Sequence, residues 1–449
     1  MTDYDTNHDL LALVDLISCA VKDVIKEYGS VGQSVPALDS VVTGPFDSQE
    51  TTNLAITKAV RVIEGACAQL CATVAWPAHA MENKAEAGFT GACLRIAADA
   101  KISDYLLDKP AGLHVSELSQ KCGIESGRLA RTLRLLASQH CYREVTPDVF
   151  ANNRLSMKLV TKDPVSAYLQ LTTNEGLKSV AYLYEAFKDP VYGGSYDIDK
   201  APFSRVFGMP LFTWIENTKN EHGEPMTETF AKCMEGLGDI NNRGIVAKVF
   251  PWSTLPVDTV ICDVAGGSGH VSMLLLRQFP QIKAIIQDQP SVVKVAREYW
   301  KAKFPKAIEE DRISFEPINF FTESPVPGCD YYYVRQILHD WPDAECLNIL
   351  GNIRRVMKPS SRLLIHEYIC PPQDWTTEHT TVERAPKPLL PNYGFGSSMV
   401  YGQDLRMLLT LNAKERSVQD FADLGKQAGL KLIKAYDTGS TGLVELALA

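Results

Sequence analysis

Apolar positions fall into two regimes along the chain. Up to about residue 245 they recur mostly every three to four positions, the spacing that gives a helix one buried stripe. Leu10, Leu13, Val14, Ile17, Val21, Val24, Ile25 and Tyr28 mark a first amphipathic helix, ended by Gly29. A Gly/Ser/Pro linker reaches Pro45, and Leu54, Ile56, Val60, Ile63, Leu70 and Val74 then mark a second helix, stopped by Pro77. Two long helices do not close a core alone, so they are expected to pack on the following domain or on a second copy, with a homodimer favoured. From residue 88 to 153 the pattern shortens, predicting helices over 92–107, 115–121 and 126–138 and two short strands joined by Thr146–Pro147–Asp148. That is a winged-helix outline. Residues 168–242 read as helical and rich in aromatics and methionine, including Phe212, Trp214, Phe230 and Met234; most belong to a core, and the remainder suit a flat apolar ligand.

Beyond residue 258 short apolar runs alternate with helical stretches. In 258–280, DTVICDVAGGSGHVSMLLLRQFP, Val260, Ile261 and Val264 supply a strand, and Val271, Met273, Leu274, Leu275 and Phe279 recur at helical spacing. Gly266, Gly267 and Gly269 sit at the join, where the backbone turns sharply and the first N–H groups of a helix face outward. This pattern points to a nucleotide. Nineteen residues after Gly269 a second apolar run ends in Asp288, placed to accept ribose hydroxyls. The dinucleotide template asks for a third glycine where Ser272 stands, which weighs against a nicotinamide enzyme. The alternation continues as helix 292–304, strands 313–318 and 331–338, helix 344–357, strand 363–369, a helix from 402, helix 418–428 and strands 431–436 and 443–448. Such a run builds a parallel sheet covered on both faces. Residues 371–399 form a Pro/Gly/Thr-rich insertion, too long for a simple connection and so a candidate lid.

Composition narrows this picture. With 449 residues and 45% hydrophobic content the chain can fill two or three cores. A net charge of −9 and a pI near 5.6 argue against a broad nucleic-acid or anionic-membrane surface. Arg128, Arg131 and Arg134 would line a recognition helix, yet three arginines opposite Leu129, Leu133 and Leu136 also suit a solvated face, so no nucleic acid is expected. The start, MTDYDTNHDL, lacks a signal-peptide pattern and no run reaches the roughly 20 apolar residues of a membrane span, which favours a cytoplasmic location. Eleven cysteines without a CxxC are expected to be buried thiols rather than disulfides or a zinc site.

In an open α/β sheet ligands bind beyond the carboxyl ends of the strands. His339 and Asp340 follow one such strand, and Glu367 lies near the end of the next. If these strands are neighbours, imidazole and carboxylate meet above the edge that carries the glycine turn, forming a general base with a fixed tautomer. His366 should point away from Glu367 by strand alternation, and His270 lies inside the turn itself.

DVAGGSGH, IIQDQP, YYVRQILHDWPDAECLNILGNIRRVMKP, LLIHEYI and NAKERS resemble, in order and spacing, the S-adenosylmethionine-dependent O-methyltransferases of the plant caffeic acid type and their fungal relatives. ILHDW is the most specific of these motifs. The resemblance runs from about residue 88 to the C-terminus, includes PFSRVFGMPLF, and leaves residues 1–85 as a helical extension. It implies a winged-helix-like dimerisation domain over 86–165, a helical connector that lines the substrate over 166–245, and a seven-stranded Rossmann-like methyltransferase sheet over 246–449. It implies His339 as the base, flanked by Glu367 and Glu415, with Asp340 at the acceptor oxygen. Asp263, Gly266, Gly267 and Gly269 would hold the methionine part of the cofactor and Asp288 its ribose, while Arg335 stands where the family has lysine. Asn319–Phe320 replaces the usual Asp–Met or Asp–Phe pair at the adenine, and asparagine retains hydrogen-bonding capacity. The acceptor expected is a phenol, clamped by Phe212, Trp214, Met234 and Met407. The products would be a methyl ether and S-adenosylhomocysteine, with no metal needed. Two rivals stay open: a relative that binds the cofactor without using its methyl, for pericyclic chemistry, and a cofactor-sensing regulator that uses the winged helix on DNA.

Overall fold

The computed structural model describes residues 6–48, 51–220, 223–241, 243–372, 378, 380–439 and 441–449. The start of the N-terminal stretch, Asn242 at the end of the aromatic-rich segment, and 373–377 and 379 of the insertion lie outside the described residues.

A seven-stranded sheet organises the C-terminal half: β1 Thr259–Val264, β2 Ile282–Asp288, β3 Ile313–Pro317, β4 Tyr331–Arg335, β5 Arg362–Glu367, β6 Leu430–Asp437 and β7 Gly442–Leu448. Their spatial order is β3-β2-β1-β4-β5-β7-β6. The first five strands are parallel, and β7 inserts antiparallel between β5 and β6. Alternate residues feed two cores: Ile261, Tyr333 and Leu364 face Trp252, Leu275 and Trp300, while Cys262, Val334 and Ile365 face Ile349, Ile353 and Phe421. Burial on both faces explains why these strands read as continuous apolar runs.

Three of the boundaries that differ from the sequence expectation have a clear local cause. The helix expected over 92–107 is two, Ala87–Asp99 and Ile102–Tyr105, because Lys101 turns left-handed at φ 53°, a break that leaves Ala97, Ala98 and Ile102 all buried. Pro77 does not merely stop the second helix; it is the first residue of another, Pro77–Ala85, where its missing N–H costs nothing. The strand expected over 331–338 ends at Arg335, since Gln336 adopts φ +52°, and Leu338–Asp340 form a single tight turn.

The two N-terminal helices, Thr6–Ser30 and Leu54–Val74, lie side by side, and Leu13 and Ala66 pack with Leu389 and Tyr393 of the insertion. Asn53 caps the second helix through the Ala55 N–H at 2.8 Å and ties it to Glu27 of the first at 2.7 Å. Gly65 is needed there, since a Cβ would lie 2.4 Å from the Tyr393 carbonyl oxygen. The insertion therefore carries the extension. On the outer side of the first helix Leu11, Val14, Val21 and Ile25 remain exposed.

In the small N-terminal sheet the hairpin Arg143–Thr146 and Val149–Ala151 forms as expected, and Arg134 is paired with Glu144 at 3.0 Å and Asp148 at 2.8 Å. The cysteine expectation needs correction: all eleven are free thiols, but Cys19, Cys67 and Cys71 are exposed on the outward faces of the N-terminal helices. Among the described residues no helix is long and apolar enough to cross a membrane.

Candidate active site

A cavity of about 900 Å³ opens above the carboxyl ends of β1 and β4. Its floor is the glycine corner. After β1 the chain turns through Ala265, Gly267 and Gly269, all at positive φ, into the helix His270–Gln278. A Cβ on Gly266 would lie 2.7 Å from the Asp263 carboxyl carbon, and one on Gly269 would lie 2.1 Å from Ile286 Cδ1 and 2.8 Å from Trp300 Nε1. The corner thus tolerates no side chain at either position. Ser272, where a dinucleotide fold has its third glycine, instead donates to Asp263 Oδ2 at 2.5 Å. Burial pushes the Asp263 carboxyl up to about 6, with the Ser272 hydroxyl and Arg335 acting against that rise. Asp288 accepts from the Gly267 N–H at 2.9 Å and the Gln289 N–H at 2.7 Å, fixing the end of β2 to the corner.

β4 and β5 are neighbours, with Arg335 opposite His366, so the residues just past them meet. His339 Nδ1 lies 2.8 Å from Glu415 Oε1 and 3.6 Å from Glu367 Oε2; Nε2 lies 3.5 Å from Asp340 Oδ1. His339 and Asp340 line the cavity, whereas Glu367 and Glu415 sit buried behind the ring. Glu367 is held by the backbone N–H groups of Ile337 and Leu338, each at 2.9 Å, and the Glu415 N–H donates to Asp404 at 2.9 Å. Burial alone would lower the basicity of His339, but Glu415, Glu367 and Asp340 outweigh it and push the imidazole up to about 10. Burial also raises Glu367 to about 7, against the pull of His339, and Asp340 to about 6. Three acids around one imidazole orient the ring and favour its protonated form. His366 points to the other face, bonded to the Tyr333 hydroxyl at 2.6 Å and Thr441 at 2.9 Å, as strand alternation requires.

Sequence reasoning missed the residue that locks this arrangement. Arg416, 1% exposed, donates to the Leu338 carbonyl at 2.7 Å, the Trp341 carbonyl at 3.0 Å and Asp343 at 2.6 Å, clamping the His339 turn to the Glu415 segment. Its only signal was a charged residue beside Glu415.

The far half of the cavity is apolar. Phe212 from the helix Leu211–Asn217, Met234 from Met226–Ile240 and Met407 from Ser398–Leu411 all line it. Trp214 does not; it is packed behind the wall against Phe203 and Phe207, with ring centroids 5.7 and 5.5 Å away. Gly269, Asp288, Asn319 and Phe320 also stand outside the lining: Asn319 Oδ1 accepts from the Phe321 N–H at 3.1 Å, and the Phe320 ring lies 4.5 Å from that of Phe321.

The polar end of this cavity carries groups of both signs. Arg335 Nε and Nη2 are buried there without a partner among the described residues, the donor set a carboxylate would satisfy, and Asp263 offers the complementary negative charge.

Comparison with known proteins agrees with that chemistry. Residues 184–431 match the model of the O-methyltransferase domain. The chain is 45% identical over 440 residues to 3-O-methyltransferase 2 of Phanerochaete chrysosporium, covering 98% of this chain and 97% of the relative. It is 34% identical over 468 residues to the O-methyltransferase gedA of Aspergillus terreus, covering 96% and 94% respectively. The fold also matches human N-acetylserotonin methyltransferase solved with S-adenosylmethionine, at a TM-score of 0.64 and 21% identity, covering 84% of this chain and 98% of that one. With its sheet order, its glycine corner and these relatives, the chain belongs to the S-adenosylmethionine-dependent O-methyltransferases.

Proposed function

We propose that this O-methyltransferase acts on the hydroxyl of a small phenolic compound, with His339 as the general base. The observation that carries the reading is the orientation of His339: Nδ1 is tied to Glu415 at 2.8 Å, which leaves Nε2 for the cavity beside Asp340. Asp263, Gly266, Gly267 and Gly269 are assigned to the methionine part of the cofactor, Arg335 to its carboxylate and Asp288 to its ribose. Asn319 and Phe320, which stand outside the cavity lining, are left without an assigned contact. Bound there, S-adenosylmethionine supplies an electrophilic methyl group on a sulfonium.

The chain's own task is to place and deprotonate the nucleophile. Phe212, Met234 and Met407 hold an aromatic ring, with Trp214 supporting them from behind. His339 Nε2 takes the hydroxyl proton, and Glu415 and Glu367 stabilise the imidazolium that forms. An imidazole near 10 is matched to a phenol, whose ordinary value is also about 10, so the transfer is close to thermoneutral. Holding the oxygen at near-attack distance supplies the rest of the acceleration.

His339, Glu367 and Glu415 also form the one group, among the described residues, with donor atoms close enough to share a metal ion, all within 4.8 Å. The reading assigns them to proton transfer, so no metal is required. The test is transfer of a labelled methyl from S-adenosylmethionine to a panel of phenols, followed by mass, with and without a chelator. Methylated phenol formed equally in both arms supports the assignment; loss of product with chelator would replace base catalysis by a metal-bound acceptor.

The exposed row Leu11, Val14, Val21 and Ile25 supports a homodimer through the first helix. Light scattering should give twice the chain mass, and Val14→Glu with Val21→Glu should return it to one.

A further inference from the structure

The acceptor half of the cavity contains an amide that the protein leaves unsatisfied. Gln403, on the helix Ser398–Leu411, is 3% exposed and lines the cavity one turn before Met407. Its Oε1 accepts from Arg406 Nη1 at 2.8 Å. An arginine has only donors, so this contact settles which end of the amide is oxygen. Arg406 is itself held by Tyr168, bonding its hydroxyl and lying with the guanidinium carbon 5.0 Å from the ring centroid. The Gln403 nitrogen is thereby turned away from Arg406, and it is buried with no partner among the described residues. Buried amide donors are almost always paired, so one left open on a side chain that lines the cavity calls for a partner.

We propose that the Gln403 amide donates to a second oxygen of the acceptor, so that this protein selects phenols bearing a hydrogen-bond-accepting oxygen (methoxy, carbonyl or another hydroxyl) besides the hydroxyl that is methylated. The proposal rests on the phenol reading above. Met407, at the next turn of the same face, carries the ring, and Gln403 reads its substituent. Tyr168 and Arg406 act as positioning residues for the amide.

The 2-, 3- and 4-methoxyphenols, each compared with its ethylphenol twin, provide the test. The members of a pair have the same shape and similar acidity and differ in one accepting oxygen. At least one methoxy isomer should exceed its twin by about tenfold or more in kcat/KM, because a site built to donate rejects a ligand that cannot accept. Gln403→Met keeps the length and removes the N–H; it should bring that ratio to near one, lowering the methoxy compound more than its ethyl twin. Gln403→Glu, which still accepts from Arg406 but offers no N–H, should do the same if the methionine variant folds poorly. Calorimetric binding of the six phenols to the protein loaded with S-adenosylhomocysteine supplies a readout independent of turnover. Ratios near one for all three pairs in the wild type, or a preference that survives both variants, overturns the proposal. A binding preference without methyl transfer would instead sink the phenol methylation reading and keep the role of Gln403.

Discussion

The glycine-corner end of the cavity, assigned to the cofactor, is built mostly of backbone, and the helical end, assigned to the acceptor, mostly of side chains. At the first, Ala265 to Gly269 occupy five consecutive positions, two of which admit no Cβ, and Asp263, Ser272 and Asp288 brace them through hydrogen bonds of 2.5 to 2.9 Å. At the second, Phe212, Met234, Gln403 and Met407 arrive from three helices separated by as much as 195 positions in sequence. The rigid end must serve one cofactor, whereas the side-chain end can be altered without disturbing the turn. Substitutions should accordingly be severe and shared by all substrates at the glycine corner, and milder and substrate-dependent at the helices.

The largest effect expected among tests of this contrast is at Gly269. Gly269→Val puts a branched side chain at φ +74° and against Ile286 and Trp300, costing about 3 kcal/mol or more from backbone strain and overpacking together. Calorimetry should show cofactor affinity down at least about 10²-fold and a lowered Tm.

Arg416→Ala comes next. It leaves the Leu338 and Trp341 carbonyls without their buried donor, a loss of about 1–3 kcal/mol, and frees the His339 turn. Stopped-flow turnover should fall roughly 10- to 100-fold, while cofactor affinity, set by the corner, changes little.

A pH profile separates the base from both ends. In the free protein His339 is protonated at neutral pH, so kcat/KM for a simple phenol should rise about tenfold per unit from pH 7 to 9 rather than level off near the ordinary histidine value. The sign for stability is opposite: the raised value of His339 contributes stability that is fully present below about 6.5 and is lost as pH rises through about 10, readable as a declining Tm.

Smallest is Met407→Ala, which removes the apolar contact assigned above to the ring. It should raise KM for the acceptor up to about tenfold, with cofactor affinity unchanged. A matching loss of cofactor binding would erase the distinction between the two ends.

The same contrast explains what the sequence revealed. Gly266, Gly267, Gly269 and Asp288 were legible because the corner is contiguous and only glycine satisfies its backbone. His339 and Glu367 were legible because one follows and the other ends strands that proved adjacent. Glu415 came only through resemblance, since nothing local places a loop carboxylate behind His339. Arg416 and Gln403 were invisible: a charged residue in a loop and an amide on an amphipathic helix look solvated until tertiary packing buries them. Trp214 looked like a ring clamp and is a supporting wall, because helical spacing marks an apolar face without saying which side of it a ligand occupies. The break at Lys101 and the early end of β4 at Gln336 were likewise hidden, since both depend on left-handed residues other than glycine.

The most direct test of the central claim is single-turnover transfer of a labelled methyl to a phenol by wild type and His339→Ala, with cofactor affinity measured in the same preparations. The account predicts a loss of about 10²- to 10⁴-fold in the mutant, with cofactor affinity within about threefold of wild type. Transfer at the wild-type rate by His339→Ala would contradict it and remove His339 from the proton's path.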